Sequence, residues 1–321
     1  MTAGARPIEI GLNAAIVAVA DGRPLILVVS GDALPFGPFD PLAHRTFEAG
    51  LRDWVAEQTA LKLGYAEQLY TFGDRGRHSL PGDVGPHLVS VGYLALTRID
   101  DEPSEALARA GASWRHWYDF FPWEDWREGR PAILDEALLP TLNKWARAGV
   151  GEKADGKPLG RRERVRLAFG EEGARGDEER ALDRYELLYE AGMVPEATRD
   201  GREPGDVRPT VAAGAAMRFD HRRILATAIS RLRAKLKYRP VVFELMAGEF
   251  TLTELQTTVE AISGRHLHKQ NFRRLVEGAA LVEPTGAMAH RSRGRPAAMF
   301  RFRRDILKER PAPGFRLGGR G

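Results

Sequence analysis

A short run near the C-terminus, KQNFRR, carries side chains that can read the edges of DNA bases. Its hydrogen-bonding residues are Lys269, Gln270, Asn271, Arg273 and Arg274. Arg can donate to O6 and N7 of guanine, and Gln or Asn can pair with N6 and N7 of adenine. The run therefore predicts contact with the major groove, with Gln270, Arg273 and Arg274 facing the bases and Lys269 and Asn271 on the flanks.

A second basic group, Arg293-Gly294-Arg295-Pro296, lies between two short strands predicted at 280–284 and 296–303. A slim backbone lets Arg side chains enter the negative potential of a narrow, A·T-rich minor groove. Taken alone, the segment is better read as a basic β-turn. Beside a base-reading helix it predicts a wing in which Arg293 and Arg295 contact DNA.

A helix-turn-helix is the element that must position these groups. Thr251, followed three residues later by Glu254, forms a capping box, and Gly264 suits the end of the helix that begins there. The next helix is predicted over 267–278, because a stripe of apolar residues recurs at helical spacing. That stripe consists of Phe272, Leu275, Val276 and Ala279. Two short helices and two strands predict a winged helix.

An earlier amphipathic helix opens at Phe219 and ends before Pro240. Its apolar stripe is formed by Ile224, Leu225, Ala228, Ile229, Leu232 and Leu236. The pattern predicts that its cationic residues lie outside this stripe. These are Arg222, Arg223, Arg231, Arg233 and Lys235.

Charge separates the two ends of the chain. Residues 218–321 carry 22 Lys and Arg against 9 Asp and Glu, whereas the remainder carries 26 against 35. Such segregation predicts a module that binds a polyanion, attached to one with another task, although a solvated basic face is the alternative. No apolar run approaches the ~20 residues of a membrane span, and neither a secretory signal nor a cysteine is present, so we expect a cytoplasmic protein.

The N-terminal part predicts strands, a helix and further strands. Two strands within 7–30 are joined at Asp21-Gly22, a dipeptide suited to a hairpin turn. A helix over 47–61 and a strand over 88–96 complete an α+β sandwich. The aromatic segment 114–126 could be a ligand cage, but aromatic residues at this density more often pack a domain edge.

Length and composition predict two domains and a linker, because single cores rarely exceed roughly 250 residues. We assign 1–148 to an effector-binding domain and 218–310 to a DNA-binding domain. Between them, 149–217 is rich in Gly and charge, which predicts a linker with one docked helix at 180–191.

Several ordered motifs resemble those of the Nudix-related transcriptional regulators of the NrtR family. In the C-terminal part they are FDHRRIL, KLKYRPVVFELMAGEFTLTELQ, NFRR and GRPAAMFRF; in the N-terminal part they are DWVAEQTAL and EQLYTFGDRGR. The resemblance implies an α+β protein with an N-terminal Nudix-like α/β/α sandwich and a C-terminal winged helix-turn-helix domain. It also implies a homodimer that binds a double-stranded DNA operator of NAD-related genes and a nucleotide effector such as ADP-ribose.

The Nudix box itself departs from the hydrolytic pattern. A working box has an Arg-Glu pair and then a Glu-Glu pair, whose carboxylates hold Mg²⁺. Asp53 and Trp54 occupy the first pair, Glu57 and Gln58 the second, and Arg45 the earlier glutamate position. One carboxylate remains, so we expect no catalytic residue and no cofactor. Were the domain active, Glu57 would need Glu48 and Glu67 to hold Mg²⁺.

The resemblance also suggests which residues hold the nucleotide. The Arg side chains left near the expected cleft could bind phosphates directly, and two aromatic residues of a strand could stack on a base. The predicted set is Arg45, Arg52, Glu57, Tyr70, Phe72, Arg75 and Arg77. Three hypotheses stay open: a ligand-responsive transcription factor, a Nudix hydrolase of ADP-ribose or a related nucleoside diphosphate, and a non-specific nucleic-acid binder.

Overall fold

A computed structural model of the protein describes residues 7–74, 85–99, 104–148, 159–171, 173, 176–202, 213–289, 296–309 and 314. It opens with the predicted hairpin, in which β1 and β2 meet at Asp21 and Gly22. These residues have φ of 48° and 70°, the left-handed conformation that a tight hairpin turn requires. The local dipeptide thus sets the register of the first two strands.

Within the described ranges, six strands form the main sheet, in the order β4-β5-β1-β2-β6 with β3 paired to β1. β1 and β5 are parallel and the other pairs are antiparallel. The strands are β1 Ile8–Ala20, β2 Arg23–Val29, β3 Phe36–Pro38, β4 Tyr65–Phe72, β5 His87–Leu96 and β6 Ala112–His116. β1 lies at the centre, so its side chains alternate between two buried faces.

Helices cover both faces of this sheet. The helices before the winged helix are α1 Phe47–Thr59, α2 Ser104–Arg109, α3 Trp117–Phe120, α4 Leu139–Ala148, α5 Arg161–Phe169, α6 Ala181–Glu190, α7 Pro195–Arg199 and α8 His221–Leu236. Leu51 and Val55 of α1 pack in one hydrophobic cluster with Leu12. Val17 packs on the opposite face in a cluster that includes Ile224 of α8. The α/β/α sandwich within an α+β fold is confirmed.

The described part of 149–217 holds three helices, α5, α6 and α7, where the sequence predicts a single docked one. Tyr185, Leu188 and Ala197 have no exposed surface and belong to the same cluster as the sheet and α8. None of the helices in the described ranges is long and apolar enough to span a membrane. The domain boundaries at 148 and 218 stay a prediction.

Helix α8 lies at the centre of the molecule, in contact with β1, β4, β5, α6 and α9 (Leu252–Ser263). The prediction that its cationic residues lie outside is therefore wrong for Arg222 and Arg233, which are 0% and 1% exposed. Arg222 pairs with Glu196 and donates to the carbonyls of Phe120 and Ala213. An amphipathic pattern misses this because the compensating partners come from other elements.

Much of the aromatic segment 114–126 packs in the core, whereas its sequence favoured a domain edge. Trp117, Phe120, Phe121 and Trp123 have no exposed surface. Directly after Trp123, the Glu124 carboxylate is buried between two guanidinium groups, those of Arg184 on α6 and Arg233 on α8. Burial by itself would raise the pKa of Glu124, but the two guanidinium groups outweigh it and lower that pKa. We name these three residues the Glu124 triad.

The C-terminal end of α9 is attached to the same region. The Tyr118 hydroxyl donates to the Ala261 carbonyl at 2.8 Å, and Arg233 Nε donates to the Ile262 carbonyl at 2.9 Å. The backbone N–H of Trp126 donates to the Gly264 carbonyl at 2.8 Å. Carbonyls at the end of a helix have no partner within the helix, so these donors satisfy groups that would otherwise be left without a hydrogen bond.

We predict that Glu124→Gln lowers the free energy of unfolding by about 3–5 kcal/mol, because it leaves two buried guanidinium groups without a carboxylate. Urea denaturation of the full chain measures the change. The matched control is Glu283→Gln, which breaks the exposed pair with Arg301 and should cost at most about 1 kcal/mol. Equal effects of the two substitutions would contradict a stabilising triad.

The same variant gives a pH dependence. Folding lowers the pKa of Glu124, so the ionised carboxylate stabilises the folded state. This stabilisation is complete above the ordinary Glu pKa of about 4.3 and is lost as the pH falls through the folded-state pKa. The stability difference between the wild type and Glu124→Gln should therefore shrink as the pH is lowered from about 5 towards 3. A difference that stays constant over this range would show that the carboxylate charge is not the cause.

A second prediction concerns Gly264, which has φ of 70° at the end of α9. A Cβ there would overlap the Glu124 carbonyl oxygen and lie 2.8 Å from the Tyr118 hydroxyl, so Gly264→Ala should destabilise the chain by more than the ~1 kcal/mol cost of left-handed backbone alone. Gly278 is the control, because a Cβ there meets nothing within 4 Å and Ala favours a helix by about 0.5–1 kcal/mol. Similar destabilisation by both, in thermal unfolding, would contradict the close approach.

Candidate nucleic-acid interface and Nudix helix

The first helix of the helix-turn-helix begins and ends as predicted. The Thr251 side chain accepts from the backbone N–H of Glu254, and the Glu254 carboxylate accepts from the backbone N–H of Thr251 at 2.7 Å, which completes the capping box. Gly264 ends α9 in the left-handed conformation. Both ends depend on residues within four positions of each other, so the sequence is sufficient to place them.

Side chains of α9 also fix the turn that follows it. Glu260 Oε1 accepts from the backbone N–H of Leu267 at 2.7 Å, and Gln256 Nε2 donates to the Leu267 carbonyl at the same distance. Both backbone polar groups of one residue in the turn, Leu267, are therefore bonded to side chains of α9. This arrangement sets the direction in which the second helix leaves.

The second helix, α10 Lys269–Ala279, presents the predicted polar face. Phe272 and Val276 are buried and anchor the helix, with Leu275 and Ala279 partly buried beside them. The five side chains predicted to contact DNA are all exposed: Lys269, Gln270, Asn271, Arg273 and Arg274. Arg274 Nη2 donates to Asn271 Oδ1 at 2.7 Å, which restricts both side chains before any ligand arrives. Their role in DNA contact stays a prediction.

The wing is a β-hairpin in the C-terminal sheet. Within the part of the chain that the structure describes, β7 Phe250–Thr251, β8 Val282–Ala289 and β9 Ala297–Phe302 pair in the order β7-β9-β8. The strand predicted at 280–284 thus starts later and runs further. The predicted wing residues Arg293 and Arg295 lie outside the described residues. A short helix, α11 Ile306–Glu309, follows the sheet.

On the Nudix helix α1, two positions that hold metal ligands in a working box are used to bind backbone instead. The Gln58 amide accepts from the Phe36 N–H at 3.1 Å and donates to the Phe36 carbonyl at 2.6 Å. Trp54 Nε1 donates to the Pro38 carbonyl at 2.9 Å, and its ring packs on Gly37, where any Cβ would overlap it. These two side chains of α1 therefore hold β3 against the helix through hydrogen bonds to its backbone.

The structure does not bring the predicted nucleotide-binding residues into one cleft. Tyr70 is 60% exposed on β4, and its ring lies 5.2 Å from that of Phe72. Phe72 is 1% exposed in the cluster beneath α8, so the prediction that it stacks on a base is wrong. A register shift between Gln68 and Thr71 interrupts the strand, and Phe72 packs in the core while Tyr70 stays exposed. Arg75 and Arg77 lie outside the described residues.

The remaining members lie at α1, on the other face of the sheet. Arg45 and Glu57 are exposed. Arg52 forms a salt bridge with Glu48 at 2.8 Å and donates hydrogen bonds to the carbonyls of Leu63 and Gly64. Arg52 therefore ties α1 to the segment before β4, a partner set that its sequence position did not suggest.

The carboxylates named for an active site are also separated. Glu67 pairs with Lys235 of α8, on the face opposite to α1, so it cannot join Glu57 and Glu48. Among the described residues, no group of three or more His, Cys, Asp or Glu side chains is placed to hold a metal ion. The side chains present around α1 do not fit a Mg²⁺ site of the Nudix kind.

Comparisons with known proteins bear on the C-terminal part most directly. The family model of the NrtR DNA-binding winged helix domain matches residues 242–302, which include α9, α10 and the wing strands. The ADPR responsive transcriptional repressor NtrR of Acinetobacter baylyi is 40% identical over 84 residues. This match covers 26% of the chain and 33% of the relative, so it spans about a third of that protein's length.

Solved structures extend the likeness to the whole fold. Shewanella oneidensis NrtR complexed with a 27mer DNA has a TM-score of 0.54 at 20% identity, over 93% of this chain and 95% of its own. The same protein in a second crystal structure has a TM-score of 0.50 at 20% identity, over 92% and 94%. Residues 242–302 thus match the NrtR winged helix domain, and the fold of the chain as described resembles that of Shewanella oneidensis NrtR.

Proposed function

We propose that the protein is a DNA-binding transcriptional regulator whose Nudix-like domain senses a nucleotide such as ADP-ribose without hydrolysing it. The observation that carries the proposal is the polar face of α10. A helix anchored by Phe272 and Val276 exposes Gln270, Arg273 and Arg274 on a bonded helix-turn-helix. Those side chains can form hydrogen bonds with base edges in a major groove. A face that only contacts solvent would not require Gln and Arg side chains together on one helix.

Double-stranded operator DNA is the partner that follows from this face. A homodimer would present two copies of α10 to half-sites about one helical turn apart. The names of two similar proteins support a DNA partner, since one is named a transcriptional repressor and the other was crystallised with DNA. In this proposal the protein acts in the cytoplasm, where it would meet its operator DNA.

The ligand side of the proposal rests on α1. Trp54 and Gln58 bond the backbone of β3 where a hydrolase would place carboxylates, and Glu57 is the one carboxylate left at the ligand positions of the box. A single carboxylate gives Mg²⁺ too few oxygen ligands for pyrophosphate chemistry. Binding without turnover fits these contacts, and the Acinetobacter relative is named as responsive to ADPR. Arg45, exposed next to α1, remains the accessible candidate for contact with a nucleotide on this face of the sheet.

Helix α8 offers a physical link between the two functions. Lys235 pairs with Glu67 and donates to the Tyr65 hydroxyl at 3.0 Å, both on β4 of the sheet. Two residues earlier, Arg233 bonds the end of α9. A nucleotide that changes the position of β4 would therefore act on the helix-turn-helix through one rigid element. Coupling of this kind requires different ligand affinities in two states.

Gel-shift titration on the chain's own upstream DNA tests the DNA-binding face. We predict that Arg273→Ala and Arg274→Ala each weaken specific binding by about 1–3 kcal/mol, because a base-reading guanidinium is lost. Arg109→Ala on α2 removes the same charge from an exposed position outside the winged helix and should leave affinity unchanged. If the α10 variants and the control bind alike, the assigned face is wrong. Equal losses on scrambled DNA would favour the non-specific binder.

Incubation with ADP-ribose and Mg²⁺ tests the ligand side. We predict no release of AMP above the buffer rate and a changed affinity for the upstream DNA when ADP-ribose is added. Calorimetry on the full chain measures binding independently of DNA. Turnover that Glu57→Gln abolishes would establish the Nudix hydrolase instead, and absence of both binding and turnover would remove ADP-ribose as the effector.

A further inference from the structure

A cavity of about 390 Å³ lies beside the Glu124 triad, on the side of the sheet away from α1. Its walls come from the end of the aromatic segment and the residues 130–134 that follow it, from α5, α6 and α8, and from the turn of the helix-turn-helix. Trp123, Trp126 and Phe169 supply aromatic surface, and Arg184, Arg233 and Arg265 supply charge. The volume is at the lower end of the range of about 300–1,000 Å³ for small-molecule sites.

The charges that line this cavity do not balance. Arg184 and Arg233 share one carboxylate, that of Glu124, and the Glu178 carboxylate is paired with Lys237 at 3.2 Å. Arg265 adds a third guanidinium group to the two of the triad. In all, four guanidinium groups line the cavity, those of Arg130, Arg184, Arg233 and Arg265, against the carboxylates of Glu124 and Glu178, so the lining carries an excess of two positive charges.

The guanidinium of Arg265 has N–H donors that are available to a ligand. This group lies 4.3 Å from the ring centroid of Trp126, and among the described residues no carboxylate or carbonyl accepts from it. Burial lowers the pKa of Arg265, and nearby Arg184 and Arg233 lower it further, against the opposing effect of Glu178. A bound anion would relieve this unfavourable electrostatic environment. The guanidinium fork matches the geometry of phosphate or carboxylate oxygens.

We propose that this cavity binds a phosphate monoester of about the size of a mononucleotide. A phosphate monoester carries a charge of about −1.5 to −2 at neutral pH, which balances the excess of two positive charges. Arg265 would bind the phosphate, and the aromatic walls would contact a planar, apolar portion of the ligand. The cavity and the Nudix helix lie on opposite faces of the sheet, so this site is separate from a nucleotide cleft at α1.

Because of the position of Arg265, a ligand in this cavity would act on the helix-turn-helix. Arg265 stands in the turn between α9 and α10, one residue after Gly264, whose carbonyl accepts from Trp126. A phosphate bound to Arg265 would act on the segment that sets the direction of α10. An effect on DNA affinity rests on the proposed DNA-binding function, whereas binding of the phosphate monoester does not.

Isothermal titration of the full chain with AMP tests the proposal directly. We expect a saturable site that adenosine fills much more weakly, because it lacks the phosphate, and that inorganic phosphate also fills more weakly, because it lacks the ring. Arg265→Gln should weaken AMP binding at least tenfold, and Arg265→Lys should give an intermediate value, because it keeps the charge and loses the fork. Equal binding of adenosine and AMP would overturn the assignment.

Two further measurements distinguish AMP binding in this cavity from nucleotide binding in a cleft at α1. The control variant Arg231→Gln removes an exposed cation from α8 and should bind AMP as the wild type does. Saturating ADP-ribose should leave AMP binding in place if the two sites are separate. If ADP-ribose excludes AMP while Arg265→Gln still binds it, the phosphate site lies elsewhere and the proposal fails. That result would leave the DNA-binding proposal untouched, because the gel-shift assay measures it independently.

Discussion

The burial of one carboxylate between two guanidinium groups is the interaction on which the arrangement of this protein depends. Glu124 follows the aromatic segment of the sandwich, Arg184 belongs to α6, and Arg233 belongs to α8. A charge in the interior is costly unless it is paired and hydrogen-bonded, so each of these residues requires the other two. Since Arg233 also bonds the Ile262 carbonyl, the triad extends to the helix-turn-helix. Three segments distant in sequence are thereby fixed to each other.

This interaction explains why α8 is better described as a shared core element than as the first helix of the winged helix. One side packs on β1, β4 and β5, and the other contacts α6 and α9. The apolar residues of all these elements join in a single hydrophobic cluster. The sheet and α9 both contact α8, so this one helix connects the sheet to the helix-turn-helix. The helices of 161–199 complete that core.

On α1, two positions that carry carboxylates in a working Nudix box hold side chains that bond a neighbouring strand. Trp54 and Gln58 satisfy backbone groups of β3, so positions that serve catalysis in a hydrolase serve stability here. Such a substitution removes negative charge and at the same time strengthens the contact between α1 and the sheet. The sandwich can therefore remain well packed without a metal ion to neutralise clustered carboxylates.

By itself, the sequence determined the features that depend on neighbouring residues. The hairpin at Asp21 and Gly22, the capping box of Thr251, the stop at Gly264 and the exposed polar face of α10 follow from signals within a few positions. The tertiary structure alone decided which charges are buried and which site residues meet. Arg233 finds Glu124 across 109 positions of the chain, and Phe72 enters the core while Arg52 is bound on the opposite face. Periodicity records that a residue is polar, but only the packed fold supplies the distant partner that makes its burial stable.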